Sequence, residues 1–165
     1  MSQVTKVPVE NQEGMQILHY ENGRRHHQHH DYFNDAVNLD PMRGGQRLVT
    51  MHMYLTTPEE GGETVFPQAD RKVTGDEWSR CANTGMAVKA VRGDAVLFFS
   101  LDLDGKEDPT SLHGSCPTTK GEKWSATKWI HVGSTLRCAS GCTAAHHNHG
   151  WAIALLFWGR HHGIK

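Results

Sequence analysis

Short apolar stretches rich in β-branched and aromatic residues alternate with polar, glycine-containing turns along most of the chain. We predict strands at residues 15–20, 29–33, 47–56, 63–66, 86–91, 95–100, 112–116 and 124–132. Turn dipeptides such as Asn22-Gly23 and Gly61-Gly62 separate these segments. Because no segment has a long helical period, the pattern predicts an all-β fold, a double-stranded β-helix jelly roll with few helical segments.

The segment 48–55 shows how such a strand divides its side chains, since alternate residues point to opposite faces. One face is mixed and suits a cavity wall or a solvent-facing surface: Leu48, Thr50, His52 and Tyr54. The other face is wholly apolar and is predicted to pack against a core: Val49, Met51, Met53 and Leu55. Further along, the apolar residues on either side of 92–94 predict a tight hairpin at 91–95.

The composition is that of a globular protein, with 165 residues, of which 37% are hydrophobic and 21% charged. This length suits one domain. The formal net charge of −1 indicates no broad affinity for nucleic acid or for anionic membranes. The 13 histidines indicate metal binding or proton chemistry, although a bias towards surface histidine explains some of them.

The character of the chain changes after residue 133. Residues 7–133 form the predicted domain, and residues 134–165 form an unassigned His-rich tail. The apolar run at 151–158 is too short to cross a bilayer. Residues 1–11 contain no apolar region of the kind found in signal peptides.

The tail contains a cluster of potential metal ligands: Cys138, Cys142, His146, His147 and His149. A zinc-binding tail and a solvated, disordered tail are both compatible with this cluster. The spacing matches no standard zinc finger, which favours the second interpretation.

The first candidate metal ligands lie in the sequence His29-His30-Asp31. In an extended strand, residues two apart point the same way, so His29 and Asp31 are expected to project together. A distant second histidine would complete a two-histidine, one-carboxylate set, which leaves positions open as non-haem Fe(II) oxygenases require. Taken alone, the motif favours a surface histidine cluster at 26–30.

Two later residues change that balance. His113 lies in the sequence Ser-Leu-His-Gly-Ser-Cys-Pro, and Lys123 follows ten residues later. A histidine followed by a cation at this interval suits binding of the co-substrate 2-oxoglutarate. This molecule chelates iron through its keto-acid end, and its far carboxylate then needs a cation deep in the pocket, where a compact lysine charge is suitable. On composition alone, Lys123 would be a solvated lysine in a turn.

Several longer motifs occur in a characteristic order: 44–47 (GGQR), 53–55 (MYL), 61–67 (GGETVFP), 93–99 (GDAVLFF) and 112–131. Together they resemble the catalytic domain of prolyl 4-hydroxylases, particularly the plant and green-algal type. The resemblance runs from about Val7 to Gly133, which is most of the chain.

The resemblance implies a set of site residues. The iron ligands would be His29, Asp31 and His113, and Lys123 would bind the 5-carboxylate of 2-oxoglutarate. Four further residues match positions of the co-substrate pocket: Tyr20, Thr64, Thr127 and Trp129. Two residues match positions that face the peptide substrate: His26 and Arg47. The alternation of the last predicted strand agrees with a pocket role for Thr127 and Trp129, because it places both residues on the same face.

The resemblance also implies the reaction and its partners. Peptidyl proline would be hydroxylated to 4-hydroxyproline, while 2-oxoglutarate is oxidatively decarboxylated to succinate and CO₂. The implied cofactors are Fe(II), O₂ and L-ascorbate, the family's usual reductant. The implied substrates are proline-rich chains in the polyproline II conformation. The implied location is the endoplasmic reticulum or the secretory pathway.

The chain departs from the family pattern in three places. The family usually has Gly-Gln-Lys-Tyr at positions 23–26, so His26 replaces a tyrosine that faces the substrate, and Gln28 replaces a proline. The helices and strands that precede Val7 in the family are missing, so we expect an N-terminally truncated chain with an exposed apolar face and an unpaired sheet edge. The tail after residue 133 does not resemble the family's C-terminus.

The four cysteines contain no C-x-x-C pair, which indicates neither a zinc ribbon nor a thioredoxin-type site. By themselves they are compatible with two disulfides or with none. Cys81 and Cys116 resemble positions that are bonded in some relatives. That bond would close a loop of 35 residues and stabilise the fold by about 2–4 kcal/mol. Two unpaired buried thiols are the alternative.

Three other functions stay open. The chain could be a 2-oxoglutarate dioxygenase that acts on a different peptide residue, which the Arg24-Arg25-His26 sequence motivates. It could be a truncated, inactive barrel that binds metal without turnover. It could also be a His-rich metal buffer, which would bind several metals per chain and lose little on replacement of Asp31.

Overall fold

The strands of the computed structural model confirm the all-β prediction. The structure describes residues 2–136 and the backbone of residues 156–158. The strands are β1 Gln16–Tyr20, β2 His26–His29, β3 Arg47–Tyr54, β4 Glu60–Gly61, β5 Thr64–Phe66, β6 Met86–Val88, β7 Ala95–Phe99, β8 His113–Ser115, β9 Thr118–Lys120, β10 Lys123–His131 and β11 Leu156–Trp158. Helical segments are short: α1 Ser2–Thr5 and 3₁₀ turns at Val9–Asn11, Pro41–Arg43, Ala82–Thr84 and Pro109–Ser111. Within the described residues, no helix has the length and apolar character needed to span a membrane.

Two antiparallel sheets form the body of the jelly roll. The five-stranded sheet has the order β1-β10-β3-β7-β11, and the four-stranded sheet has the order β2-β8-β5-β6. A small third sheet joins β4 to β9. Because most consecutive strands belong to different sheets, residues from distant parts of the chain face one another across the interior.

One strand prediction and one hairpin prediction are wrong. The strand predicted at 29–33 lies instead at His26–His29, because its partner β8 begins at His113, opposite His29, and offers no pairing beyond that point. The hairpin predicted at 91–95 does not form. The turn there carries the chain from one sheet to the other, since β6 pairs with β5 whereas β7 pairs with β3.

The inner face of β3 lines a cavity, as the mixed pattern of 48–55 allows. Tyr54 packs there with Phe66, Val96 and Phe98 between the sheets. This apolar cluster holds the two sheets together on one side of the cavity.

The outer face of β3 is only partly covered. Val49 is fully buried in a cluster with Val7, Leu97 and Ile130, because the N-terminal segment crosses the sheet there. At the other end of the strand, 42% of Leu55 is exposed. The prediction that this whole face packs against a core is therefore wrong at its Leu55 end.

Two further features bear on the sequence predictions. Cys81 and Cys116 form a disulfide that links the loop after β5 to the end of β8, which decides between the bonded and free alternatives. Strand β11 pairs with β7 along one edge of the five-stranded sheet, so that edge is covered. The possible zinc ligands of the tail lie outside the described residues.

Candidate active site

An open cavity between the two sheets gathers most of the predicted site residues. Its wall is formed by Gln16, Leu18, Tyr20, His26, His29, Asp31, Thr50, His52, Thr64, His113, Gly114, Ser115, Thr127 and Trp129. Two predicted residues, Arg47 and Lys123, lie behind this wall. A metal-ligating cluster lies towards one end of the cavity, the metal end, and the buried Lys123 lies behind the wall of the other end, the lysine end.

The metal end consists of His29, Asp31 and His113. The Nε2 atom of His29 lies 3.5 Å from Oδ1 of Asp31, and Nε2 of His113 lies 3.7 Å from Oδ2 of the same carboxylate. One ligand atom from each residue lies within 4.8 Å of the others. Two imidazoles and one carboxylate on a single side form the donor set that suits non-haem Fe(II) and leaves the opposite side open.

Backbone carbonyl groups fix the orientation of both imidazoles. Nδ1 of His29 donates to the carbonyl of His27 at 2.8 Å, and Nδ1 of His113 donates to the carbonyl of Ser111 at 3.0 Å. Since a carbonyl can only accept, each Nδ1 carries the proton, and each Nε2 presents its lone pair to the cluster. The geometry therefore holds both rings in the tautomer that binds a metal.

The carboxylate of Asp31 is held in its ionised form. The hydroxyl of Thr50 donates to its Oδ2 at 2.6 Å. Burial alone would raise the pKa of Asp31, but the hydrogen bond with His29, the charge of His113 and the Thr50 hydroxyl hold it well below its usual range. An anionic ligand is thus available throughout the physiological pH range.

The two histidines differ in their affinity for protons. The hydrogen bond with Asp31 raises the pKa of His29, whereas burial lowers the pKa of His113. The ring of Phe98 packs 4.6 Å from the ring of His113. This apolar neighbour keeps water from one side of His113, which explains the direction of its shift.

The lysine end contains Lys123, which is fully buried rather than solvated in a turn. Its Nζ donates to the carbonyl of Gly62 and to the hydroxyl of Ser115, each at 2.8 Å. It also lies 5.0 Å from the ring centre of Tyr20. Because an ammonium group has three protons, one remains to donate to a carboxylate in the cavity. Burial lowers the pKa of Lys123 to about 7, although the charge of Glu63 opposes this shift.

The remaining predicted pocket residues lie on the wall between the two ends. Thr64 accepts a hydrogen bond from the hydroxyl of Tyr54 at 2.8 Å. Thr127 and Trp129 both line the cavity, so the predicted alternation of the last strand is confirmed. Among these residues, Trp129 also lowers the pKa of Asp31 through its indole N–H, without reaching hydrogen-bond geometry.

Arg47 is engaged by neighbouring side chains. It donates to both carboxylate oxygens of Glu13, at 2.6 and 3.1 Å, and its guanidinium lies 4.0 Å from the centre of the Trp129 ring. Burial alone would raise the pKa of Glu13, but hydrogen bonds from His131 and Arg47 lower it to about 2. Arg47 thus braces Trp129 from behind the cavity, and a contact with substrate remains a prediction.

His26 lies at the mouth of the cavity, exposed to solvent. Its ring centre is 4.5 Å from that of His29. Burial of part of the ring and the neighbouring His29 lower the pKa of His26. His26 therefore flanks the entrance to the metal end of the cavity.

Sequence reasoning missed several residues that shape the site: Thr50, His52, Tyr54 and Ser115. For the first three, the signal was the mixed face of the strand at 48–55, which identified them as possible cavity residues without assigning them a role. Ser115 gave no signal, because its contact with Lys123 depends on the packing of two sheets.

Comparison with known proteins agrees with this geometry. The sequence profile of the 2OG-Fe(II) oxygenase superfamily matches residues 15–131, so the chain belongs to this superfamily. It is 54% identical over 144 residues to probable prolyl 4-hydroxylase 7 of Arabidopsis thaliana, covering 84% of this chain and 45% of that protein. It is 51% identical over 154 residues to probable prolyl 4-hydroxylase 6, covering 91% and 53% respectively. The chain thus spans about half the length of the curated relatives it matches.

A solved structure shares the fold. The viral collagen prolyl hydroxylase of Paramecium Bursaria Chlorella virus-1, in a 2OG complex, superposes with a TM-score of 0.55 at 30% sequence identity. The superposition covers 73% of this chain and 58% of the viral chain. The jelly-roll prediction is confirmed.

Proposed function

We propose that this chain, as a member of the 2OG-Fe(II) oxygenase superfamily, hydroxylates peptidyl proline to 4-hydroxyproline with 2-oxoglutarate as co-substrate. One observation carries the proposal: His29, Asp31 and His113 converge at one end of the cavity, and the buried ammonium group of Lys123 lies behind its other end, bonded to the lining residue Ser115. This arrangement of an open metal face and a cation suits a dicarboxylic keto acid, which chelates at one end and carries a charge at the other.

Each residue of the metal end has a definable task. Fe(II), 2-oxoglutarate and O₂ together supply the oxidant for C–H hydroxylation, while the co-substrate is converted to succinate and CO₂. His29 and His113 would bind the metal through Nε2, because their Nδ1 protons are committed to backbone carbonyls. Asp31 would contribute the negative charge, and Thr50 would keep that carboxylate in one orientation.

The lysine end would bind and orient the co-substrate. Lys123 is held by Gly62 and Ser115, so its remaining proton points in a fixed direction. The rings of Tyr20 and Tyr54 flank its ammonium group at 5.0 and 5.6 Å and keep water away from it. A carboxylate bound there would be desolvated, which strengthens a charge-assisted hydrogen bond.

The names of the relatives support proline-rich chains as substrates. Two Arabidopsis relatives are called probable prolyl 4-hydroxylases, and the viral structure is a collagen prolyl hydroxylase. Extended polyproline II chains lose little conformational freedom on binding, which suits an open cavity. We extend the proposal to L-ascorbate as the reductant that restores Fe(II), and to the secretory pathway, where a disulfide such as Cys81–Cys116 persists.

A second candidate is the same oxidation on a residue other than proline. The observation that favours it is a groove beside the cavity, lined by Arg24, Arg25 and His26 among others. The two guanidinium groups there would attract an acidic chain, and His26 offers a smaller contact surface than the tyrosine usual in the family.

Peptide assays under Fe(II), 2-oxoglutarate and ascorbate test the proposal. We expect succinate release and the mass gain of one oxygen atom on a proline-rich peptide, with fragmentation placing the oxygen on proline. Oxygen on another residue supports the second candidate. Folded protein that releases no succinate with any peptide would be an inactive metal-binding barrel.

A further inference from the structure

His52 is the one histidine in the interior of β3, and it lies between the two ends of the cavity. On the inner face of this strand, Thr50 contacts the ligand Asp31 on one side of His52, and Tyr54 lies 5.6 Å from Nζ of Lys123 on the other. The cross-strand neighbour of His52 in β10 is Thr127. His52 is therefore placed where a ligand that bridges the two ends must pass.

One nitrogen of this imidazole has a partner and the other has none. Nδ1 of His52 lies 2.8 Å from the hydroxyl oxygen of Thr127, whereas Nε2 is buried without a hydrogen-bond partner. A buried polar atom left unpaired costs about 1–3 kcal/mol, so native proteins usually supply a partner. A leucine or valine at this position would line the wall without that cost.

The other unpaired atoms of the described residues do not compete for this explanation. They are Ser100 Oγ, Thr118 Oγ1, Ser125 Oγ and Trp129 Nε1. Of these residues, only Trp129 lines the cavity, and its N–H already acts on Asp31 at the metal end. Apart from Trp129 Nε1, His52 Nε2 is thus the unpaired side-chain atom on the cavity wall among the described residues.

The imidazole of His52 is a neutral donor. Burial lowers its pKa to about 3, and the neighbouring charge of Lys123 acts in the same direction. If the Thr127 hydroxyl donates to Nδ1, the single ring proton lies on Nε2. A neutral N–H beside an ammonium group can share a carboxylate with it without adding like-charge repulsion.

We propose that His52 is a further co-substrate-binding residue, whose Nε2–H hydrogen-bonds the distal carboxylate of the dicarboxylic keto acid together with Lys123. This inference rests on the proposed function and adds a specificity-determining residue to it. His52 would favour a keto acid with a second carboxylate over one that ends in a methyl group.

The test uses matched variants of the full chain and anaerobic titration with Fe(II). The amide of His52→Gln reaches the position of Nε2, whereas that of His52→Asn reaches only the position of Nδ1. The ligands are 2-oxoglutarate and 2-oxopentanoate, which lacks the distal carboxylate. The dissociation constant is read from the visible band of the iron chelate, and Met53→Leu on the opposite face of β3 serves as a control.

We expect His52→Asn to raise the dissociation constant of 2-oxoglutarate about 10- to 100-fold, the range for a hydrogen bond to a charged group. His52→Gln should stay close to wild type, and both variants should bind 2-oxopentanoate with unchanged affinity. Equal affinities of the Asn and Gln variants for 2-oxoglutarate would overturn the inference, as would equal weakening for both ligands. Absence of a band in the wild-type protein would instead reject the proposed function itself.

Discussion

The two ends of the cavity are built in different ways. At the metal end, His29 and Asp31 lie at the end of a strand and in the bend after it, and 38% of the His29 side chain is exposed. Their orientation comes from local contacts, because each ligand histidine donates to the carbonyl of the residue two positions earlier. At the lysine end, Lys123 begins the long strand β10, is fully buried, and is fixed by distant parts of the chain.

This difference suggests that the metal end provides access to the site, whereas the lysine end selects the co-substrate. On the proposed function, a metal and then O₂ and substrate must reach the metal end, which its partial exposure allows, and local backbone contacts suffice to hold its rings. The lysine end must be dry for its single charge to discriminate, and only packing between two sheets can exclude water there. Changes at the metal end should therefore affect iron binding, whereas changes at the lysine end should affect 2-oxoglutarate binding.

The largest effect is expected from His113→Ala, which removes one ligand of the metal end. Two remaining ligands cannot retain iron, so turnover should be abolished and the metal content of purified protein should fall. Succinate release and metal analysis measure the two effects. His30→Ala is the matched control, since the His30 ring contacts the carbonyl of Pro109 outside the cluster and its loss should leave iron binding intact.

At the lysine end, Lys123→Ala should weaken 2-oxoglutarate binding while iron binding persists. Loss of a buried charge-assisted bond, worth about 1.5–3 kcal/mol, corresponds to an affinity about 10- to 100-fold lower. Titration of the iron-loaded protein measures this. Lys120→Ala, at an exposed ion pair with Glu59, should have no such effect. Unchanged co-substrate affinity in Lys123→Ala would show that the buried ammonium group is not part of the site.

Binding at the two ends should also weaken at opposite sides of the pH range. The hydrogen bond with Asp31 raises the pKa of His29, and iron must displace that proton, so iron affinity should begin to fall above the ordinary histidine pKa of about 6.5 as the pH is lowered. Lys123 has a pKa of about 7 in the free protein but must be charged to bind a carboxylate. Above that pH binding takes up a proton, so 2-oxoglutarate affinity should fall by up to about tenfold per pH unit.

Titrations at several pH values, with iron affinity and co-substrate affinity measured separately, check both pH dependences. A co-substrate affinity that stays constant well above pH 7 would mean that Lys123 is already charged in the free protein. The loss of 2-oxoglutarate affinity at high pH should vanish in Lys123→Ala, whereas the loss of iron affinity at low pH should remain.

The smallest effect on the site is expected from Cys81→Ser combined with Cys116→Ser. Loss of the disulfide should lower the free energy of unfolding by about 2–4 kcal/mol, because the unfolded chain is no longer constrained over 35 residues. Denaturant unfolding measures this change. Co-substrate affinity should change less than in Lys123→Ala, although Cys116 adjoins Ser115, which contacts the lysine. A larger change would make the disulfide part of the site.

Much of this architecture could be predicted from alternating patterns. The strand at 47–56 and the shared face of Thr127 and Trp129 follow from side-chain alternation, which is a local property of the chain. The strand predicted at 29–33 failed because its real limits depend on where the distant partner β8 begins. His29 and Asp31 still converge, through a bend rather than through strand alternation.

The lysine end was less predictable for the same reason. On composition, Lys123 reads as a solvated turn residue, and its burial depends on Gly62 and Ser115 from other strands. The contact between His52 and Thr127 likewise requires the register of β3 against β10. The interval between His113 and Lys123 suggested a place in the pocket, and the resemblance to a family, which encodes tertiary structure, strengthened that assignment.

The central claim is that one iron ion and one keto acid share this cavity. The most direct measurement is anaerobic titration of the metal-free protein with Fe(II) and then with 2-oxoglutarate. We predict one iron per chain and a weak visible charge-transfer band that appears with the co-substrate and is lost in Asp31→Ala. Folded protein that shows no such band, or that binds several metals per chain regardless of Asp31, would contradict the account.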